Sequence, residues 1–208
     1  MQLSNIQFIT HSTENISYIE SANLALEGGI KLIQLRMKGA AKEEVMQSAL
    51  DLRILCQRYG AQLIVDDWVE IVNEVGIDGV HVGKEDISVQ KTRTLLGKDK
   101  IIGCTANTFE DIVRGLKAGA SYIGLGPYRY TTTKKKLSPI LGLEGYKSIL
   151  AKCKARNINI PIYAIGGIRM EDLKPLKEIG LWGVAISSMI LQSPNPTQTT
   201  KEIIQNWK

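Results

Sequence analysis

Gln34, Arg36 and Lys38 occupy alternate positions in the segment QLRMK. On a β-strand that spacing puts all three side chains on one face. Two cations and an amide on an inward face are costly unless negative charge balances them. The balancing charge is either an anionic ligand or an inward salt-bridge layer of the protein's own carboxylates. Asp66 and Asp67 end the run LIVDD, and Glu85 and Asp86 follow Gly83-Lys84. Carboxylates at neighbouring strand ends can share a hard cation. Magnesium takes one or two of them and fills its shell with water and phosphate oxygens. The competing role is helix capping, for which Asp66 stands just ahead of a helix starting at Trp68.

Further donors follow in order. GCTANT carries Thr105, Asn107 and Thr108. After the turn Gly126-Pro127 comes YRYTTTKKK, with Thr131, Thr133 and Lys134. A donor-rich cationic loop suits a lid over a phosphorylated ligand, or is simply a solvated basic loop. AIGGI holds Gly166-Gly167 and VAISS holds Ser187-Ser188. Glycine lets backbone N–H groups approach an anion, and a helix N-terminus adds its dipole. His81 lies inside an apolar run and reads as interior packing rather than as a base. His11 follows the first apolar run and could reach the same region. No Ser–His–Asp or Cys–His pattern is readable. The run containing Tyr122 has no lysine, which weakens a Schiff-base reading.

These residues need elements that bring them together. Apolar, β-branched runs at Ile6–Thr10, Ile30–Met37, Gln62–Asp67, Gly79–Gly83, Ile101–Thr105, Tyr122–Tyr128, Ile160–Ile168 and Trp182–Met189 predict eight strands. Helical segments separate them. Ser12-Thr13-Glu14 leads into the segment SYIESANLALEG, which closes on Gly28-Gly29. Lys42–Tyr59 has near-helical apolar spacing. Thr108–Lys117 opens with a Thr108/Asp111 capping pattern. EGGIKLIQL, EVGIDGVHV, KAGASYIGL and EIGLWGVAI form a weak repeat of helix end, glycine, turn and buried strand. Eight βα units predict an α/β fold, a compact single-domain (β/α)8 TIM barrel over residues 1–208; five or six would suggest an open sheet. Barrel active sites sit at the C-terminal strand ends, with phosphate often held after strands seven and eight. Apart from His81 and Tyr122, the residues singled out above stand at such ends. The mouth is therefore expected to offer two anion pockets and a carboxylate pair, fitting two phosphorylated reactants or one bisphosphate.

Composition agrees with that class. The chain has 208 residues, 44% hydrophobic and 23% charged, which excludes disorder and low complexity. No apolar run approaches the roughly 18 residues of a membrane helix, and the N-terminus lacks a secretory pattern. Three widely spaced cysteines form no zinc spacing or disulfide framework, so a cytoplasmic location is expected. Twenty-six basic against 21 acidic residues favour anionic partners. With aromatics at 6% and the placeable cations converging on a barrel mouth, nucleic acid is disfavoured and phosphorylated small molecules are preferred. Oligomeric state stays open.

QLRMK, VDDW, DGVHVGKEDI, GCTANT, YIGLGPYRYTTTKKK, AIGGI and GVAISS, in this order, resemble the thiamine phosphate synthase family over nearly the whole chain. The resemblance implies a transferase that joins hydroxymethylpyrimidine pyrophosphate to hydroxyethylthiazole phosphate and releases pyrophosphate through a pyrimidine-methylene cation. It implies that Gln34 holds the aminopyrimidine. Arg36, Lys38, Thr105 and Lys134 would bind pyrophosphate, and Asp67 and Asp86 would hold Mg2+. Thr131 and Thr133, with backbone at Gly167, Ser187 and Ser188, would hold the thiazole phosphate. The sequence departs from the family pattern at four places. Asp66 stands where asparagine is frequent, Tyr130 where proline is usual, Lys136 where aspartate is common and Asn107 where histidine is frequent. Asp66 would then meet metal or solvent instead of donating to pyrophosphate. The rivals are a thiazole tautomerase, which relies on a histidine at the position of Asn107, and a non-catalytic protein that binds thiamine precursors.

Overall fold

A computed structural model describes residues 3–131 and 138–208. The order of elements is β1 (Ile6–Ile9), α1 (Tyr18–Glu27), β2 (Leu32–Leu35), α2 (Lys42–Tyr59), β3 (Gln62–Asp66), α3 (Val69–Val75), β4 (Gly79–Val82), α4 (Val89–Leu96), β5 (Ile101–Ala106), α5 (Phe109–Lys117), β6 (Tyr122–Leu125), α6 (Gly142–Ala155), β7 (Ile162–Ile165), a 3-10 turn (Met170–Asp172), α7 (Leu173–Glu178), β8 (Gly183–Ile186), α8 (Ser188–Leu191) and α9 (Pro196–Trp207). Each strand pairs in parallel with the next, and β1 closes on β8. The chain is the expected (β/α)8 barrel.

Local chemistry explains the boundaries. Lys42–Tyr59 is helical over the predicted range and stops at Gly60, whose φ is +58°. Thr108 and Asp111 form a reciprocal capping box: each side chain bonds the other's backbone N–H, at 3.1 Å both ways. The first helix occupies the expected segment, but Ser12-Thr13-Glu14 does not cap it. Ser17 and Glu20 cap it, with the Ser17 N–H donating to Glu20 Oε2 at 2.7 Å, while the Thr13 N–H closes a turn onto the Ile16 carbonyl. The strands are also shorter than their apolar runs. β6 ends at Leu125 and not at Tyr128, because Pro127 gives the ladder no N–H. The weak repeat has one backbone cause. Gly29, Gly76, Gly119 and Gly180 turn each helix into the next strand at φ values of +104°, +74°, +91° and +87°.

The strands are buried on both faces, which is why they read as continuous apolar runs instead of alternating ones. Phe8, Ile33, Leu35, Leu63, Val65 and Val80 pack outward against the helices. Ile9, Leu32, Ile64, Tyr122, Tyr163 and Ala185 form the inner cluster. Large and small residues oppose each other inside. A Cβ added to Gly103 would lie 2.0 Å from the Tyr122 ring carbon Cζ. The inner positions nearest the C-terminal ends of β2 to β5 are polar (Gln34, Asp66, His81 and Thr105), and there the cavity opens.

Candidate active site

One cavity occupies the C-terminal mouth. Among the sequence-predicted residues it is lined by Gln34, Arg36, Lys38, Asp66, Asp67, Thr105, Thr131, Gly167, Ser187 and Ser188. Residues from six separate strand ends thus meet in one space. Thr133 and Lys134, and the family departure at Lys136, lie outside the described residues. Asp86 does not face this cavity. It borders a neighbouring recess with Asp67, Val69 and Ile87.

The wall from β2 and β3 is a charge network. Asp66 is 7% exposed. Its carboxylate accepts from Gln34 Nε2 at 2.8 Å and pairs with Arg36 Nε at 3.3 Å and Lys38 Nζ at 3.5 Å. The inward salt-bridge layer is therefore present. Asp66 spends its oxygens on these three groups and does not cap α3, whose N-cap is Trp68 with no side-chain bond. Lys38 also bonds Asp67. Asp67 sits at φ +68°, a left-handed position uncommon for a residue with a Cβ, with its N–H held by the His81 carbonyl at 2.9 Å. Burial, the Asp66 charge and a hydrogen bond shared with Asp86 push the Asp67 carboxyl well above the usual range. Burial works against the Asp86 charge, but the bonds from Asp67 and from the Gly83 N–H, at 2.7 Å, hold its carboxyl low.

The opposite wall is backbone. Gly166 and Gly167 have φ +93° and +66°. A Cβ on Gly167 would lie 2.8 Å from the Tyr130 carbonyl and 2.9 Å from Arg129 Cβ, so the turn tolerates neither a side chain nor another rotation. Arg129 secures it. Its guanidinium donates to the Gly167 carbonyl at 2.6 Å and to both Asp172 oxygens at 2.6 and 3.0 Å, and it stacks on Tyr128 at 5.2 Å. Burial opposes ionisation of Asp172, but Arg129 and the Arg169 N–H hold its carboxyl below the usual range. Beside this turn lie Ser187, just after β8, and Ser188, which opens α8. The buried Ser187 Oγ faces no hydrogen-bond partner among the described residues.

Thr105 forms part of the floor. The strand pleat turns it inward and sends Cys104 out against α5, where a Cβ on Gly115 would meet its sulfur at 2.6 Å. His81 also lines the cavity. Its two ring nitrogens contact Tyr122 Oη at 3.0 Å and Thr105 Oγ1 at 3.1 Å, so it is more than interior packing. His11 is exposed and is not a lining residue. Asn107 lines the cavity and donates to the Gly126 carbonyl. Arg129 and Asp172 had no sequence signal: they are 43 positions apart, and Arg129 sits among basic and hydroxyl residues that read equally as loop.

Comparison with known proteins places the chain. Residues 6–190 match the model of the family described as thiamine monophosphate synthase. A thiamine-phosphate synthase of Bacteroides fragilis is 55% identical over 200 residues, covering 96% of this chain and 98% of the relative. One from Phocaeicola vulgatus is 53% identical over 199 residues, covering 96% of each. The solved thiamine phosphate pyrophosphorylase from Pyrococcus furiosus superposes with a TM-score of 0.83 at 30% identity, covering 97% of this chain and 94% of that one. The chain is a (β/α)8-barrel transferase and belongs to the thiamine monophosphate synthase family.

Proposed function

We propose that this chain joins hydroxymethylpyrimidine pyrophosphate to hydroxyethylthiazole phosphate in a Mg2+-dependent condensation that releases pyrophosphate. One observation carries the reading: a cation and carboxylate wall and a glycine and serine wall face each other across a single cavity. Two walls that each suit a phosphate fit two phosphorylated reactants.

The residues present fit a magnesium ion. Asp67 Oδ1 is buried and has no hydrogen-bond partner among the described residues. Asp67 and Asp86 border one recess, and burial together with the Asp66 charge raises the Asp67 carboxyl, so the pair is short of positive charge there. Among the described residues no group of three or more His, Cys, Asp or Glu gathers. Two carboxylates, water and substrate oxygens are the donor set magnesium favours. When bound, the ion supplies positive charge where the leaving pyrophosphate becomes negative.

The remaining roles follow from position. Arg36 and Lys38 neutralise charge on the departing pyrophosphate, exchanging their bonds to Asp66 and Asp67 for bonds to phosphate oxygens. Gln34 is oriented by Asp66 and presents its other amide atoms to the pyrimidine edge. Gly167, Ser187, Ser188 and Thr131 fix the thiazole phosphate. That leaves the ring nitrogen to capture the methylene carbon once the C–O bond has broken. The bond-forming step requires no general base. Thr133 and Lys134 complete this reading as further donors.

The test is a coupling assay with both precursors, with and without Mg2+, reading thiamine phosphate and pyrophosphate. Magnesium-dependent formation of both products is expected. Binding of both precursors without turnover would reverse the proposal in favour of a non-catalytic binder, and isomerisation of the thiazole phosphate alone in favour of a tautomerase.

A further inference from the structure

Four polar side chains from four strands form one chain leading up to the cavity floor. Gln7 Nε2 lies 3.1 Å from Tyr122 Oη. Tyr122 Oη lies 3.0 Å from His81 Nδ1, and His81 Nε2 lies 3.1 Å from Thr105 Oγ1. Tyr122 is fully buried, Gln7 and His81 are nearly so, and Thr105 lines the cavity. Each contact has a direction. An amide nitrogen only donates, so Gln7 occupies the phenol as an acceptor. Burial pushes the Tyr122 hydroxyl's pKa far up, so it keeps its hydrogen. That hydrogen goes to His81 Nδ1. A neutral imidazole that accepts at Nδ1 carries its hydrogen on Nε2. Nε2–H donates to Thr105 Oγ1, and the threonine hydrogen is left pointing into the cavity.

We propose that His81 is a positioning residue: held in its Nε2–H tautomer by Tyr122 and Gln7, it fixes the Thr105 hydroxyl as a donor toward an anionic substrate oxygen. This deepens the synthase reading above and rests on it. The opposite tautomer would draw the Thr105 hydrogen down onto Nε2. The cavity would then meet a polyanion with lone pairs. No proton is transferred along the chain; it sets a direction. The donor opens into the same cavity that Arg36 and Lys38 line, where leaving-group charge would develop.

Two measurements decide it. Long-range proton–nitrogen correlation spectra of labelled protein, at a pH where the imidazole is neutral, identify which nitrogen carries the hydrogen. Nε2–H is expected in the native protein, with a shift toward Nδ1–H in Tyr122→Phe, which keeps the ring and deletes only the hydroxyl. In the coupling assay Tyr122→Phe is expected to lower kcat about 10- to 100-fold with KM for the thiazole phosphate unchanged. In a Thr105→Val background the same substitution is expected to change kcat less than about twofold, since the hydroxyl it acts through is gone. A native Nδ1–H tautomer overturns the proposal, and so do losses that simply multiply in the double variant. If Tyr122→Phe does not fold, the native spectrum still decides. If the native protein shows no coupling, the synthase reading fails, and the tautomer assignment stands or falls by the spectrum alone.

Discussion

Replacing Arg129 by methionine keeps most of the aliphatic stem and deletes the guanidinium, the group that stacks on Tyr128. Three bonds go with it: one to the Gly167 carbonyl at 2.6 Å and two to Asp172 at 2.6 and 3.0 Å. The Asp172 side chain is 7% exposed and would keep the Arg169 N–H at 2.8 Å and the Tyr128 hydroxyl. Stranding one partner of a buried pair costs about 3–5 kcal/mol, and losing charged hydrogen bonds about 1.5–3 kcal/mol. Arg129 is 35% exposed in its side chain and Asp172 keeps two donors, so the lower end applies, about 2 kcal/mol. Urea unfolding of Arg129→Met against the native protein measures it. The functional consequence is separate. Gly167 is held at φ +66° by contacts that include this bond, so freeing the turn is expected to raise KM for the thiazole phosphate about tenfold with kcat nearly unchanged. Asp172→Asn closes a double-variant cycle, in which the two losses are expected to overlap by about 1–2 kcal/mol. A stability change below about 0.5 kcal/mol, or a fall in kcat at constant KM, refutes the clamp.

Asp86→Ala is expected to abolish the magnesium dependence of coupling and cut the rate about 100-fold or more, while the melting transition stays cooperative; full rate with unchanged metal dependence would remove Asp86 from the proposed metal site. Burial works against the Asp111 charge, yet Lys84, the Asn107 N–H and Arg114 hold its carboxyl at about 2. A depressed pKa stabilises the fold above the ordinary value near 3.8 and loses that contribution as pH falls through about 2. Asp111→Ala should therefore cost about 2–3 kcal/mol at pH 7, cap included, and clearly less near pH 3; a gap that does not shrink in acid unfolding curves contradicts it. Gly103→Ala should destabilise the barrel by about 3 kcal/mol, since its Cβ would fall 2.0 Å from Tyr122 Cζ, and a calorimetric Tm within about a degree of the native value would show the interior more yielding than described.

Much of the fold was legible because the barrel repeats one local device. The four glycines of the weak repeat, the Thr108/Asp111 box and the Lys42–Tyr59 helix each carry their conformation in a few adjacent residues. The errors arose where local signals compete. Ser12-Thr13-Glu14 and Ser17/Glu20 both offer helix starts, and only the second makes the reciprocal box. β6 reads as apolar through Tyr128, but Pro127 ends its ladder sooner. The strand-end residues could be gathered from sequence because barrel geometry brings those ends together. Their partners could not. Asp66 reads as a metal ligand or a cap until Gln34, Arg36 and Lys38 are seen around it. His81 reads as packing until Tyr122 and Thr105, 41 and 24 positions away, are found on its two nitrogens.

The outward turn of Cys104 bears on the enzyme's own durability. In the proposed reaction, departure of pyrophosphate leaves an electron-poor methylene carbon, and a sulfur nucleophile alongside would capture it in competition with the thiazole. Cys104 and Thr105 are neighbours in the chain but lie on opposite sides of the barrel wall. The thiol rests against Gly115 with its pKa pushed up by burial to about 11, and Thr105 lines the cavity. Cys56 and Cys153 are buried as well, and neither is a lining residue. A one-residue slip of β5 would exchange the two groups and set a soft nucleophile beside the cation. In the proposed reaction the pairing register of β5 would therefore do more than hold the sheet: it would keep the catalyst from alkylating itself.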